Sequence, residues 1–156
     1  MRLTKNNQSG ISTIEIIIVG LIVAVVATAA VPIVQRNLEL YRAESAVKIV
    51  SIRLMDAKFA ALKRNRTARL EINTDSNSLE IRSTNDAGAD ISISPPLTLP
   101  EGTVVAGIGI VSTAFNSLGR NQAGTMTTIS MSFPNVNQCK DVSISPAGKV
   151  SINGCP

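Results

Sequence analysis

Ser9-Gly10-Ile11-Ser12-Thr13-Ile14-Glu15 leads directly into IIIVGLIVAVVATAAVPIV, Ile16 to Val34, nineteen residues without a charge. Only Gly20, Thr28 and Pro32 interrupt the apolar character of the run. As a helix it spans ~28 Å, close to the hydrocarbon thickness of a bilayer. Ahead of it, MRLTKNNQSG carries Arg2 and Lys5 and no acid. Basic residues before a first apolar span hold that end in the cytoplasm, so the remainder is expected on the opposite side. A secretory signal peptide is one reading, with Ala27-Thr28-Ala29 as its small-x-small cleavage site, but the usual apolar region of such a signal is only ~7–15 residues. A plain single-pass anchor is another. Neither accounts for Glu15, because a carboxylate costs ~2.5–3.5 kcal/mol near the bilayer centre, less at the interface, and calls for a partner.

Outside this stretch the composition changes character. The chain has 156 residues, 44% of them hydrophobic, a net charge of +4, four aromatics, two Cys and no His. The lack of His excludes a His-based triad, and with only two Cys it excludes a Cys/His zinc site, so no metal or cofactor is expected. So few aromatics argue against a stacking platform for single-stranded nucleic acid. Without the apolar run, what remains is a polar domain rich in Ser, Thr and Asn.

Past Pro32 the pattern becomes amphipathic. Leu40, Ala43, Val47, Val50, Leu54, Ala57 and Ala61 recur at steps of three and four, a helical stripe whose simplest role is core packing. Arg42, Lys48, Arg53, Lys58 and Arg64 lie largely off it. A helix from about Ile11 to about Asn65 is ~80 Å long, half membrane or assembly segment and half packed on a C-terminal domain. The periodicity then switches to two. Leu70 and Ile72, the turn Thr74-Asp75-Ser76-Asn77, and Leu79 and Ile81 predict a hairpin pairing Leu70 with Ile81 and Ile72 with Leu79. Ile91-Ile93, Val104-Ala106-Ile108-Ile110 and Ile129-Met131-Phe133 continue the alternation, punctuated by Asn85-Asp86-Ala87-Gly88, Pro95-Pro96 and Pro100-Glu101-Gly102. The predicted fold class is therefore α+β, a long helix packed against a mainly antiparallel sheet.

The last segment can be worked out residue by residue. Pro146-Ala147-Gly148 fits a type I turn closed by a left-handed Gly. Pairing Ser145 with Lys149 sets Ile144 opposite Val150, Val142 opposite Ile152, and Cys139 opposite Cys155. Facing Cα atoms lie ~4.5–5.5 Å apart, within reach of a disulfide, which an oxidising compartment beyond the membrane favours. Two unpaired buried thiols are the alternative; a redox pair is disfavoured because there is no CxxC spacing.

The string Ser9 to Glu15 with its apolar run resembles the class III signal of type IV prepilins and pseudopilins. The resemblance implies that a prepilin peptidase cuts between Gly10 and Ile11 and methylates the new amino terminus. It also implies that Glu15 pairs with the amino terminus of a neighbouring subunit during assembly, and that Pro32 bends the helix. Ile11 stands where the family usually has Phe. Phe115-Asn116-Ser117-Leu118-Gly119-Arg120 and Val142-Ser143-Ile144-Ser145-Pro146-Ala147-Gly148-Lys149-Val150 resemble the GspH/FimT-type minor pilins and pseudopilins. The organisation implied is a leader over 1–10, a transmembrane or filament-core helix over 11–34, an amphipathic helix over 35–66, and a β-rich head over 67–156. The partners implied are other pilins or pseudopilins, the prepilin peptidase and the bacterial inner membrane. The head is expected in the periplasm before assembly into a pilus or a secretion pseudopilus.

A DNA-binding role in natural transformation is the alternative, because FimT-like proteins of some bacteria bind DNA near a C-terminal GRxR-like stretch. Here that stretch reads Gly148-Lys149-Val150-Ser151, and a Lys loses the bidentate fork of an Arg. Arg120, Lys140 and Lys149 are the candidate contacts. Without Arg2 and Lys5 the balance is thirteen bases to eleven acids, too even to indicate nucleic acid by itself. An enzyme is not expected. Asp56, Glu71, Asp75, Glu80 and Asp86 read as ordinary solvated acids, and Gly107-Ile108-Gly109 lacks the context of a phosphate-binding turn.

Overall fold

The computed structural model describes residues 12–85 and 88–155, and the chain divides into two compact units after Asn37. One helix, α1, runs Thr13–Arg64 and has Pro32 in its interior. Its first part, through Asn37, is exposed at every position and apolar enough to cross a membrane. Ile and Val are only moderate helix formers in water, whereas hydrocarbon, where every backbone group must be satisfied within the segment, would hold a run of this composition as a helix. The Thr28 hydroxyl is satisfied within the helix, donating to the Val25 carbonyl at 2.8 Å.

In the second unit, α1 buries Ala43, Ala46, Val47, Val50, Ser51, Leu54, Ala57 and Ala61. This is the predicted stripe, apart from Leu40, which is half-buried. The small side chains let the helix lie close on the strands. Full burial of Leu54 stabilises the unit by roughly 1.5–3 kcal/mol. Asn65 ends the helix in the left-handed region at φ 50°. The Arg66 N–H bonds the Ala61 carbonyl and the Asn65 N–H the Leu62 carbonyl, a Schellman closure.

Among the described residues, nine strands form two antiparallel sheets beside this helix. β1 (Ala68–Asn73), β2 (Ser78–Thr84), β3 (Asp90–Ser92) and β6 (Ile110–Phe115) lie in the order β3-β2-β1-β6, with β4 (Leu97–Thr98) also on β2. β5 (Val104–Val105), β7 (Thr127–Phe133), β8 (Gln138–Ile144) and β9 (Val150–Gly154) lie in the order β5-β7-β8-β9. Leu70 pairs with Ile81 and Ile72 with Leu79, the predicted register, and all four join the core with Phe115, Ile129, Met131, Val142 and Ile144. The Asn73 carboxamide holds the intervening turn by accepting from the Asp75 and Ser76 N–H groups.

One expected strand is corrected. The alternation Val104-Ala106-Ile108-Ile110 does not form a single strand. Gly107 and Gly109 have φ of 138° and 77°, Ile108 is 99% exposed, and the two ends belong to different sheets. Glycines at positive φ break a run that hydrophobic alternation alone reads as continuous.

Candidate assembly surface

The described part of the membrane-like segment begins at Ser12, whose carbonyl accepts from the N–H groups of Glu15 and Ile16. Gly10 and Ile11, the expected processing residues, lie outside the described residues. Glu15 falls in the first turn of α1, where the exposed N–H groups and the helix dipole favour a carboxylate. Ser12-x-x-Glu15 also has the spacing of a capping box. The helix start therefore gives Glu15 a local reason to be acidic, beside the assembly role that the signal implies.

A second apolar stripe lies on the helix, one that the sequence reading missed. Tyr41, Ile52, Met55, Phe59 and Leu62 are 72, 58, 44, 64 and 43% exposed on α1, off its buried stripe, with Leu62 beside Gly119 of the head. From Ile52 onward their spacing is three, four and three, the seam that one helix presents to another. The signal is present in that spacing, but the buried stripe by itself already accounts for an amphipathic helix. From Ile52 to Leu62 this face presents large apolar side chains, with the charged Glu44 and Lys48 between Tyr41 and Ile52 and Lys63 at its end.

The C-terminal hairpin has the expected register: Lys140 faces Gly154, Val142 faces Ile152 and Ile144 faces Val150. Cys139 and Cys155 are disulfide-bonded with Cα atoms 5.5 Å apart. Asp141 lies near both sulfurs, but with no thiolate left the group is not a metal-ligand set. At the turn, the Ser145 N–H bonds the Lys149 carbonyl and Gly148 sits at φ 76°. A Cβ on Gly148 would collide with the Gly119 carbonyl oxygen, so the loop Asn116–Arg120 rests directly on this turn. Lys58 reaches the same place from the helix, donating to the Gly148 carbonyl at 2.9 Å.

This packing separates the candidate basic residues. Arg120 and Lys149 are exposed on neighbouring backbones at the turn. Lys140 lies five residues up β8 from Ser145, about 17 Å at ~3.4 Å per residue. The acids Glu71 and Glu80 face each other across β1 and β2, as Arg69 and Arg82 do. Like charges directly opposite repel, and Asp90 relieves this by pairing with both arginines. The hydrogen bond that Arg82 donates to Asp90 is the chief cause that raises its guanidinium above its ordinary pKa, with the nearby Glu71 and Glu80 charges adding to it. These acids thus belong to a surface ion-pair network.

No protein-family model and no curated protein matches the chain. The architecture does match solved structures of one class, the minor pilins and pseudopilins. The type IV minor pilin FimU of Pseudomonas aeruginosa aligns with a TM-score of 0.53 over 70% of this chain and 91% of its own, at 18% identity. In a second crystal form the score is 0.55, over 72% of this chain and 87% of that one. The minor pseudopilin EpsH from the type 2 secretion system of Vibrio cholerae aligns at 0.54 over 70% and 94%, at 15% identity. The chain has the pilin fold: a long N-terminal helix packed, in its second part, on antiparallel sheets.

Proposed function

We propose that the chain is a structural subunit of a pilin-like filament, a type IV pilus or a type II secretion pseudopilus, and not an enzyme. Before assembly, residues 11–34 hold it in the bacterial inner membrane with the head in the periplasm. A prepilin peptidase removes residues 1–10 and methylates Ile11; Pro32 bends the helix in the fibre core. Glu15 neutralises the amino terminus of a neighbouring pilin or pseudopilin, since a carboxylate is buried tolerably only with an opposite charge.

The second apolar stripe carries this reading. A single-pass anchor explains an exposed apolar surface along residues 14–34. It does not explain Tyr41, Ile52, Met55, Phe59 and Leu62, which lie on a helix whose other face is already in the head's core. A neighbouring helix in a fibre accounts for both surfaces. In the test, Glu15→Ala is expected to leave the processed N-terminus unchanged by intact mass and to lower recovery of the chain in sheared filaments. Normal recovery would overturn the assigned role of Glu15.

The adjacency of Arg120 and Lys149, with Lys58 reaching the same turn, favours DNA as a second reading. Phosphate contacts from this turn would give salt-sensitive binding. A gel shift with the unit from Leu38 onward, at low and moderate salt, is the check; no retardation at low salt ends this reading.

A further inference from the structure

Sheet edges expose unpaired backbone groups, and proteins normally blunt them by shortness, charge, proline or cover. The edges in this head are treated unequally. On one sheet the β3/β4 edge consists of three- and two-residue strands, interrupted by Pro95-Pro96 and carrying the paired Asp90. On the other, β5 has two residues. In contrast, β6 has six residues and β9 five, and neither contains a charge or a proline.

The hydrogen bonds already made show which groups on these two strands point outward. The Thr74 N–H bonds the Gly109 carbonyl, so, alternating along the ladder, Val111, Thr113 and Phe115 also bond toward β1. Ile110, Ser112 and Ala114 therefore turn their N–H and C=O away from β1. The Ala114 carbonyl is taken by the Gln122 N–H at 2.9 Å, which leaves Ile110 and Ser112 as the open length. On β9 the Ser145–Lys149 bond sets the same alternation, so Val150, Ile152 and Gly154 present their backbone outward. Among the described residues nothing pairs with either set.

The β9 edge also has an unfilled apolar slot. It measures about 140 Å³ and is lined by Ala43, Glu44, Val47, Lys48, Lys140 and Ile152, with Ile152 46% exposed. On β6 the outward-facing Ile110 is 62% exposed. We propose that β6 of one copy of this chain adds to β9 of a second copy, seating Ile110 in the slot beside Ile152. Backbone hydrogen bonds supply the contact and the Ile side chain sets its register, the logic of strand addition. Because the two edges differ, the contact is heterologous and repeats head to tail, whereas β6 against β6 would close at a dimer. A contact this short depends on a high local concentration, so the proposal rests on the filament reading, in which apolar helices hold the heads together.

The test uses full-length chains in the membrane, one carrying Ile110→Cys and the other Ile152→Cys, co-expressed and oxidised; the native cysteines are already bonded to each other. The expected result is a disulfide-linked mixed dimer, with little from either variant alone. Adding Ser112→Pro to the Ile110→Cys chain removes an outward N–H that β1 does not use. That should lower the mixed product about tenfold, the equivalent of roughly one hydrogen bond. An unchanged thermal melt shows that this variant remains folded. Dimers of Ile110→Cys alone, or a mixed product insensitive to Ser112→Pro, overturn the proposal. Filaments recovered by shearing without any mixed product overturn it and leave the filament reading standing; a mixed product without filaments does the reverse. Absence of both removes both.

Discussion

The two parts of α1 have the same secondary structure for different reasons. From Thr13 to Asn37 no residue is buried in its own chain, and between Ile14 and Val34 the only charge is Glu15. From Leu38 to Arg64 eight residues are buried, and most of the charges lie off that stripe. The first part makes no tertiary contact of its own, and its composition is one that hydrocarbon would hold as a helix because nothing else there satisfies the backbone. The second is helical because packing on two sheets stabilises a stripe of small and apolar side chains. Stability therefore resides in the second part, and the first is left free to serve whatever surrounds it. The outer stripe from Tyr41 to Leu62 is where the second part takes on the character of the first.

Truncating one residue in each part gives the largest expected contrast. Leu54→Ala removes a fully buried side chain and should destabilise the head by about 2–5 kcal/mol. Ile18→Ala, in the exposed first part, should leave the urea midpoint of the detergent-solubilised chain unchanged. Equal losses in the two variants would show that the parts share one cooperative core, contrary to the division after Asn37. A somewhat smaller effect is expected at the C-terminal hairpin. Replacing Cys139 and Cys155 by Ser opens a loop of sequence separation 16, which should cost about 3 kcal/mol, read by the same titration. A loss below about 0.5 kcal/mol would mean that the hairpin's register is held by Val142, Ile144 and Val150 alone.

The features legible in the sequence are those encoded within a few residues of one another. Leu70 with Ile81, and Cys139 with Cys155, each follow from a turn and strict alternation, because a one-residue slip moves every side chain to the wrong face. The buried helical stripe is legible for the same local reason. The features that escape depend on distant partners. That β6 pairs with β1 joins segments about 40 residues apart, and no local pattern in Ile110–Phe115 names Ala68–Asn73 as its partner. The split of Val104–Ile110 between two sheets is decided by glycine backbone angles rather than by hydrophobicity. Charge alone groups Lys140 with Arg120 and Lys149, and only strand length separates it from them. The outer stripe is present in the spacing of Ile52, Met55, Phe59 and Leu62, yet burial distinguishes a stripe facing the core from one facing a neighbour.

That last distinction yields the prediction with the smallest effect on stability. Phe59 is 64% exposed, so Phe59→Ser removes little area that folding withdraws from water. Its stability cost should stay within about 0.5 kcal/mol, as for ordinary surface positions. If the stripe faces only solvent, nothing else changes. If it packs on a neighbour's helix, every copy in a fibre loses the same aromatic contact, and recovery in sheared filaments falls although the isolated chain melts as before. Leu54→Ala has the opposite profile, a lower melt arising from the core. A Phe59→Ser chain that melts normally and assembles normally would return the stripe to plain surface, and with it the observation that separates a filament subunit from an anchored head.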